Sequence, residues 1–213
     1  AMFLLCELKD IVALAPEKFG SPGLEAYEQA LNEKLSNLVL HKVGLCCALW
    51  DILQVDEAHV FPGDARSHSQ VRFRYVVFRP SLEEVLVGTV RKCDTDGVHV
   101  SLGFFDDILI PPDQLQHPSR FENSRGEPAW VWAYDTGADT GPHQLPMERG
   151  DRLRFRVVEE LWRDVLPGGK QQPQQLGQQP AAPLDEAARL PPYSLLGSVN
   201  EPGLGLLDWW SDA

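Results

Sequence analysis

Asp106-Asp107 is the most tempting of the adjacent carboxylate pairs in this 213-residue chain, of a type that could share a proton or hold a cation. Acid–base and metal chemistry both need the two groups to converge on one point. Neighbours on a strand face opposite ways, so the pair reads as a turn-and-edge feature that holds a loop. His68 lies between Ser67 and Ser69, which brings a base next to two hydroxyls. Triads are normally assembled from distant segments, and residues this close in a polar turn seldom reach that geometry. The six histidines, at 41, 59, 68, 99, 117 and 143, follow no metal-ligand spacing. The four cysteines, Cys6, Cys46, Cys47 and Cys93, contain no C-x-x-C pair. On a strand, Cys46 and Cys47 would face opposite sides and cannot chelate one ion together. All four read as small buried hydrophobes of a reducing compartment. Gly203-Leu204-Gly205 lacks the third glycine and the strand-to-helix setting of a dinucleotide loop. No enzyme activity, metal or cofactor is expected.

What remains is binding. Two alternating segments carry arginines on one face: Arg72 and Arg74, then Arg152, Arg154 and Arg156. A row of guanidinium groups along a strand can track phosphates. The competing reading is a solvated face whose arginines pair with nearby acids. Net charge is −12, which argues against non-specific duplex binding. The charge is uneven, and the middle of the chain carries most of the acid. A local basic stripe is compatible with that total.

The elements that must position these residues are short. Phe3 to Leu14 predicts a strand, and charges at Glu7, Lys9 and Asp10 keep it from reading as a secretory leader. Ser21-Pro22 marks a helix start, and Leu24, Tyr27, Leu31, Leu35 and Leu38 form one apolar stripe behind it. Val43–Val55 and Gln70–Phe78 predict two further strands, separated by a Phe61-Pro62-Gly63-Asp64 turn. The second of them puts Val71, Phe73, Tyr75 and Val77 on one face. Five more strands are expected at 86–92, 98–102, 108–110, 129–134 and 151–162, spaced as in a small barrel. The stretch from Gly137 to Gly150 reads as a polar loop. Residues 167–190 are rich in Gln and Pro and read as a flexible linker. Order returns at Tyr193–Ser198 and at Glu201–Trp210. The two adjacent tryptophans there are expected to dock on the barrel or on a partner. No apolar run is long enough for a membrane helix, so no membrane role is expected.

Residues Val87-Gly88-Thr89-Val90, Asp96 to Leu102, Asp107 to Ile110 and Gly150 to Val158 resemble the S1 RNA-binding domain. Pro62-Gly63-Asp64, Phe78-Arg79-Pro80 and Glu84 to Gly88 resemble the tip domain of RNA polymerase stalk subunits, a family with archaeal as well as eukaryotic members. Val98 to Pro112 and Glu201 to Trp210 look like the polymerase III branch of that family. The resemblance implies an α+β chain. A strand–helix–strand–strand tip domain (truncated RNP-like) would span 2–81, and a five-stranded S1/OB β-barrel 82–166. The linker at 167–190 would lead to a docking tail at 191–213.

The function implied is a non-catalytic stalk subunit of RNA polymerase III in the nucleus. Its implied partners are a smaller stalk subunit, polymerase core subunits, initiation factors and, weakly, single-stranded nascent RNA. Transcripts of that polymerase include transfer RNA and 5S ribosomal RNA. Pro62, Gly63 and Asp64 would dock on the core. Arg152, Arg154, Arg156, His99, Arg91 and Lys92 would face RNA. Phe104, Phe105, Trp209 and Trp210 would seat the tail or a partner. S1 domains stack bases on aromatics where this chain has Asp96, His99 and Ile110, and only His99 keeps a flat ring. Each lost stack forfeits about 1–3 kcal/mol, so RNA binding is expected to be weak and salt-dependent. The alternative is a free-standing S1 RNA-binding protein, which would bind single strands tightly without a partner.

Overall fold

Alternation buries Val71, Phe73, Tyr75 and Val77 completely and makes their strand the centre of a sheet. The computed structural model describes residues 1–20, 24–123, 128–134, 143–163 and 191–210. It divides into two units, Ala1–Glu84 and Val85–Ala213.

The first unit contains β1 (Phe3–Leu14), α1 (Glu25–Leu35), β2 (Val39–Leu40), β3 (Gly44–Val55), β4 (His59–Val60) and β5 (Ser67–Phe78). The sheet order is β1-β5-β3-β2, with β4 paired to β5, and all pairs are antiparallel. Helix α1 packs Ala26, Leu31 and Leu35 against Val12, Leu14, Val71, Phe73 and Tyr75. It is shorter than the apolar stripe predicts. Leu24 and Leu38 fall beyond its ends and are exposed, and Ala26 takes a core place instead. The Ser21-Pro22 start lies outside the described residues.

Strand β3 departs from simple alternation. Its register against β5 shifts at Cys46/Ala48, Leu49/Asp51 and Ile52/Gln54. Each bulge adds one residue and bends the strand. The three skipped residues are Cys47, Trp50 and Leu53, and Trp50 is left 64% exposed. Cys46 is buried in the core, and burial with the charges of Cys47 and Cys6 nearby pushes its thiol up to about 11. Burial also raises Cys47 and Cys93. These three are thiols, not thiolates, at neutral pH.

The second unit contains β6 (Val85–Asp94), β7 (Gly97–Ser101), β8 (Ile108–Ile110), β9 (Ser119–Glu122), β10 (Ala129–Tyr134), β11 (His143–Met147), β12 (Arg152–Trp162), β13 (Tyr193–Ser198) and β14 (Gly205–Leu206). Among the described residues, β13-β8-β7-β6-β12 pair in sequence and β12 pairs back with β13, which closes a five-stranded barrel. Only the β8–β13 pair of this ring is parallel. Gly97 turns β6 into β7 at φ 136°, where an added Cβ would lie 2.1 Å from the Ile110 carbonyl oxygen.

One barrel strand differs from the expected set. Strand β10 belongs to a separate β11-β10-β9 sheet, and β13 takes its place in the ring. The burial pattern explains this. Trp130, Val131 and Trp132 are buried in succession, so β10 is covered on both faces. In β13, Tyr193 and Leu195 alternate inward with no exposure. The stretch read as a polar loop contains β11. Its Pro146 sits opposite Val131 on an edge strand, where the missing N–H costs no ladder bond.

Candidate nucleic-acid interface

Strand β12 sorts its residues as the alternation predicts. Leu153, Phe155 and Val157 fill the barrel, and Arg152, Arg154 and Arg156 point outward. Successive arginine positions are about 6.7 Å apart along such a strand. Their direct neighbours on β6 are Thr89, Val87 and Val85, all exposed. The outer face is therefore a cationic row beside a short, mostly apolar one.

The chain's own C-terminal segment borders the other side. Strand β14 pairs Gly205 with Arg154 and Leu206 with Leu153. Arg154 Nη1 donates to the Gly203 carbonyl at 3.4 Å, and Arg156 Nη2 donates to Glu201 Oε2 at 2.7 Å. The Glu201 carboxylate is about half exposed and Arg156 is 29% exposed. Backbone groups hold this segment in place. Gln116 Nε2 donates to the Val199 and Glu201 carbonyls at 2.7 and 3.1 Å, and the Val199 N–H donates to the Gln114 carbonyl at 2.8 Å.

The other three expected RNA contacts lie at the β6–β7 hairpin, each beside an acid. Arg91 Nη1 donates to Asp106 Oδ2 at 3.0 Å, and Ser101 Oγ donates to the same carboxylate. Lys92 Nζ donates to Asp94 Oδ2 at 2.9 Å. His99 Nε2 also lies 2.9 Å from that oxygen, off the direction a hydrogen bond needs. Burial works to raise Asp94, but the Lys92 hydrogen bond and the nearby His99 and Lys92 charges outweigh it and hold the carboxyl below its usual range. The two acids of the Asp106-Asp107 pair do different things. The Asp107 carbonyl accepts the Leu195 N–H at 2.9 Å and so joins β13 to the barrel. Asp107 is exposed as a residue, yet partial burial of its carboxyl and the Asp106 charge raise its pKa, against an opposing pull from Arg91.

The aromatic positions divide. Phe105 is buried, with its ring 5.5 Å from Tyr193, which in turn stacks on Trp162 at 4.2 Å. Phe104 stays exposed. Trp209 packs 5.1 Å from Trp132 of β10, and Trp210 donates from Nε1 to the Leu204 carbonyl at 3.0 Å.

In the first unit, Pro62 and Gly63 are exposed in a turn with Gly63 at φ 89°. Asp64 is held by Arg66 and by His68 Nε2 at 3.0 Å. Phe61, beside them, is 57% exposed and sits edge-on to His68. Arg72 pairs with Glu7 at 3.5 Å, and Arg74 grips Asp51 through two nitrogens. These two arginines follow the paired-face reading. A cavity of about 320 Å³ in this unit is lined by Leu14, Lys18, Phe19, Ala26, Tyr27, Ala58 and Ser67, with no carboxylate. Among the described residues, no three His, Cys, Asp or Glu side chains come together to hold a metal. No described helix is long and apolar enough to cross a membrane.

Sequence reasoning missed Glu201, Gly203 and Gln116. The Glu201-Pro202-Gly203 turn signals order, but nothing in its spacing names Arg156 as the partner.

Comparison with known families matches residues 84–210 to "RNA polymerase III subunit Rpc25". Residues 9–65 match the SHS2 domain found in the N terminus of Rpb7p and Rpc25p. DNA-directed RNA polymerase III subunit RPC8 of Bos taurus is 47% identical over all of both chains. The RPC8 subunit of Saccharomyces cerevisiae is 35% identical over 98% of this chain and all of its own. DNA-directed RNA polymerase subunit Rpo7 of Saccharolobus shibatae is 24% identical over 100% of this chain and 99% of its own.

Proposed function

This chain belongs to the Rpc25 family of RNA polymerase III subunits, and from that membership we propose that it is the larger, non-catalytic subunit of the polymerase stalk. The observation that carries this reading is similarity running the full length of the RPC8 chains, through both units and into the tail that closes the barrel. The subunit works in the nucleus, paired with a smaller stalk subunit. The loop around Pro62, Gly63 and Asp64 docks on the polymerase core and presents Phe61. Asp64 braces that loop through Arg66 and His68.

The barrel faces nascent RNA and initiation factors. Arg152, Arg154 and Arg156 contact phosphates along β12, and binding by the chain alone is weak. Support for the row over the hairpin comes from charge. Arg91, Lys92 and His99 each lie against a carboxylate of the second unit. In the row, among the described residues, only Arg156 meets a carboxylate at ion-pair distance, and Arg152 and Arg154 point outward. The same engaged acids support a binding role over catalysis. Full-length likeness to polymerase subunits favours this reading over a free-standing S1 protein.

Co-expression with a candidate small stalk subunit tests the pairing. A stoichiometric complex that survives gel filtration is expected. A stable monomer indifferent to each candidate contradicts it. For the RNA contact, Arg152→Glu, Arg154→Glu and Arg156→Glu together are expected to abolish crosslinking of nascent transcript to this subunit. Unchanged crosslinking returns the row to a solvated face.

A further inference from the structure

A carboxylate supplied from beyond β13 meets the arginine row. Glu201 Oε2 lies 2.7 Å from Arg156 Nη2, on the outward face of β12. The main chain beside it is fixed independently of that carboxylate. Gln116 binds the Val199 and Glu201 carbonyls, β14 pairs with β12, and Trp209 packs on Trp132. Removing the charge at Glu201 therefore leaves these anchors in place. Arg154 is likewise met by a main-chain acceptor of the same segment, the Gly203 carbonyl. Along β12, then, the chain's own tail supplies acceptors of the kind phosphate oxygens would supply.

We infer that Glu201 acts as an internal phosphate mimic, which a single-stranded RNA must displace from Arg156 in order to occupy the row. The inference rests on reading that row as an RNA contact, and it adds the regulation of that contact. A carboxylate and a phosphate oxygen both accept charge-assisted hydrogen bonds from guanidinium, so they compete for the same donors. The pair is partly exposed, where an ion pair is weak enough to exchange. Displacement weakens RNA binding and makes it conditional. Any partner that draws Glu201 away opens Arg156 Nη2 to a phosphate oxygen.

The test measures binding of a fluorescein-labelled oligouridylate to the full chain by anisotropy over a salt series. Relative to wild type, Glu201→Gln is expected to bind about two- to fivefold tighter at low salt, the range an exposed pair can contribute. Its slope of log K against log salt is expected to steepen by roughly 0.7, one added phosphate contact on a single strand. Glu122→Gln removes the same charge from β9, where it pairs with Arg120, and is expected to leave binding unchanged. The gain from Glu201→Gln is expected to vanish in an Arg156→Gln background. Glu201→Ser should act in the same direction as Glu201→Gln, and near-ultraviolet dichroism should show the tryptophans still seated. An equal gain from Glu122→Gln overturns the inference, as does a gain that persists without Arg156. If Glu201→Gln changes nothing while reversal of all three arginines abolishes binding, the mimic is wrong and the row stands. If row reversal leaves binding unchanged, or no protein binds detectably, both fall.

Discussion

A Cβ on Gly205 would lie 2.5 Å from the Trp209 ring, and the residue sits at φ 103°. Space and backbone conformation both demand glycine there. Gly205→Ala is expected to unseat Trp209 and destabilise the second unit by about 1–3 kcal/mol. Thermal unfolding with near-ultraviolet dichroism checks this; an unchanged melting temperature and tryptophan signal contradict it. In the first unit, the Arg66 side chain and backbone N–H, with His68, hold Asp64 well below the usual carboxylate range. The Arg74 hydrogen bond lowers Asp51 against a smaller opposing effect of burial. A carboxylate depressed in the folded state adds stability above its unfolded pKa, about 3.9, and loses it as pH falls through the folded one. Wild type is therefore expected to be more stable than Asp64→Asn at pH 7, with the gap closing under acid. Urea unfolding at pH 7 and pH 3 measures it, and a gap independent of pH argues that the charge does not matter.

At the scale of elements, the barrel depends on β13, which lies far along the chain from the strands it joins. Leu195 is fully buried there, between β8 and β12. Leu195→Ala is expected to cost about 2–5 kcal/mol. Deletion of 191–213 should leave the second unit without its closing strand, seen as loss of a cooperative transition and gain of hydrophobic-dye binding. A cooperative transition surviving that deletion would mean four strands suffice. Most of the strands were legible as alternating runs, because inward Val71, Phe73, Leu153 and Phe155 mark their faces directly. The identity of the fifth barrel strand was not. Pairing across a long sequence separation leaves no local pattern, and Trp130 to Trp132 look like barrel residues until both faces of β10 are seen to be covered. The β3 bulges were hidden for a similar reason: Cys47, Trp50 and Leu53 are extra residues only relative to β5. The arginine row was visible in the sequence. The carboxylate that answers it was not, since 45 positions separate Arg156 from Glu201.

For the whole molecule, a net charge of −12 sets overall repulsion against RNA, which the proposed contact along β12 has to overcome locally. On the proposed reading, other subunits hold the chain near the transcript, and assembly matters more than intrinsic affinity. The most direct measurement is quantitative mass spectrometry of what co-purifies with the tagged full chain from its own cells. RNA polymerase III core subunits are expected, with one smaller stalk subunit in equimolar amount. Recovery of the chain alone, or with ribosomal or RNA-decay proteins in place of polymerase, would contradict the stalk assignment.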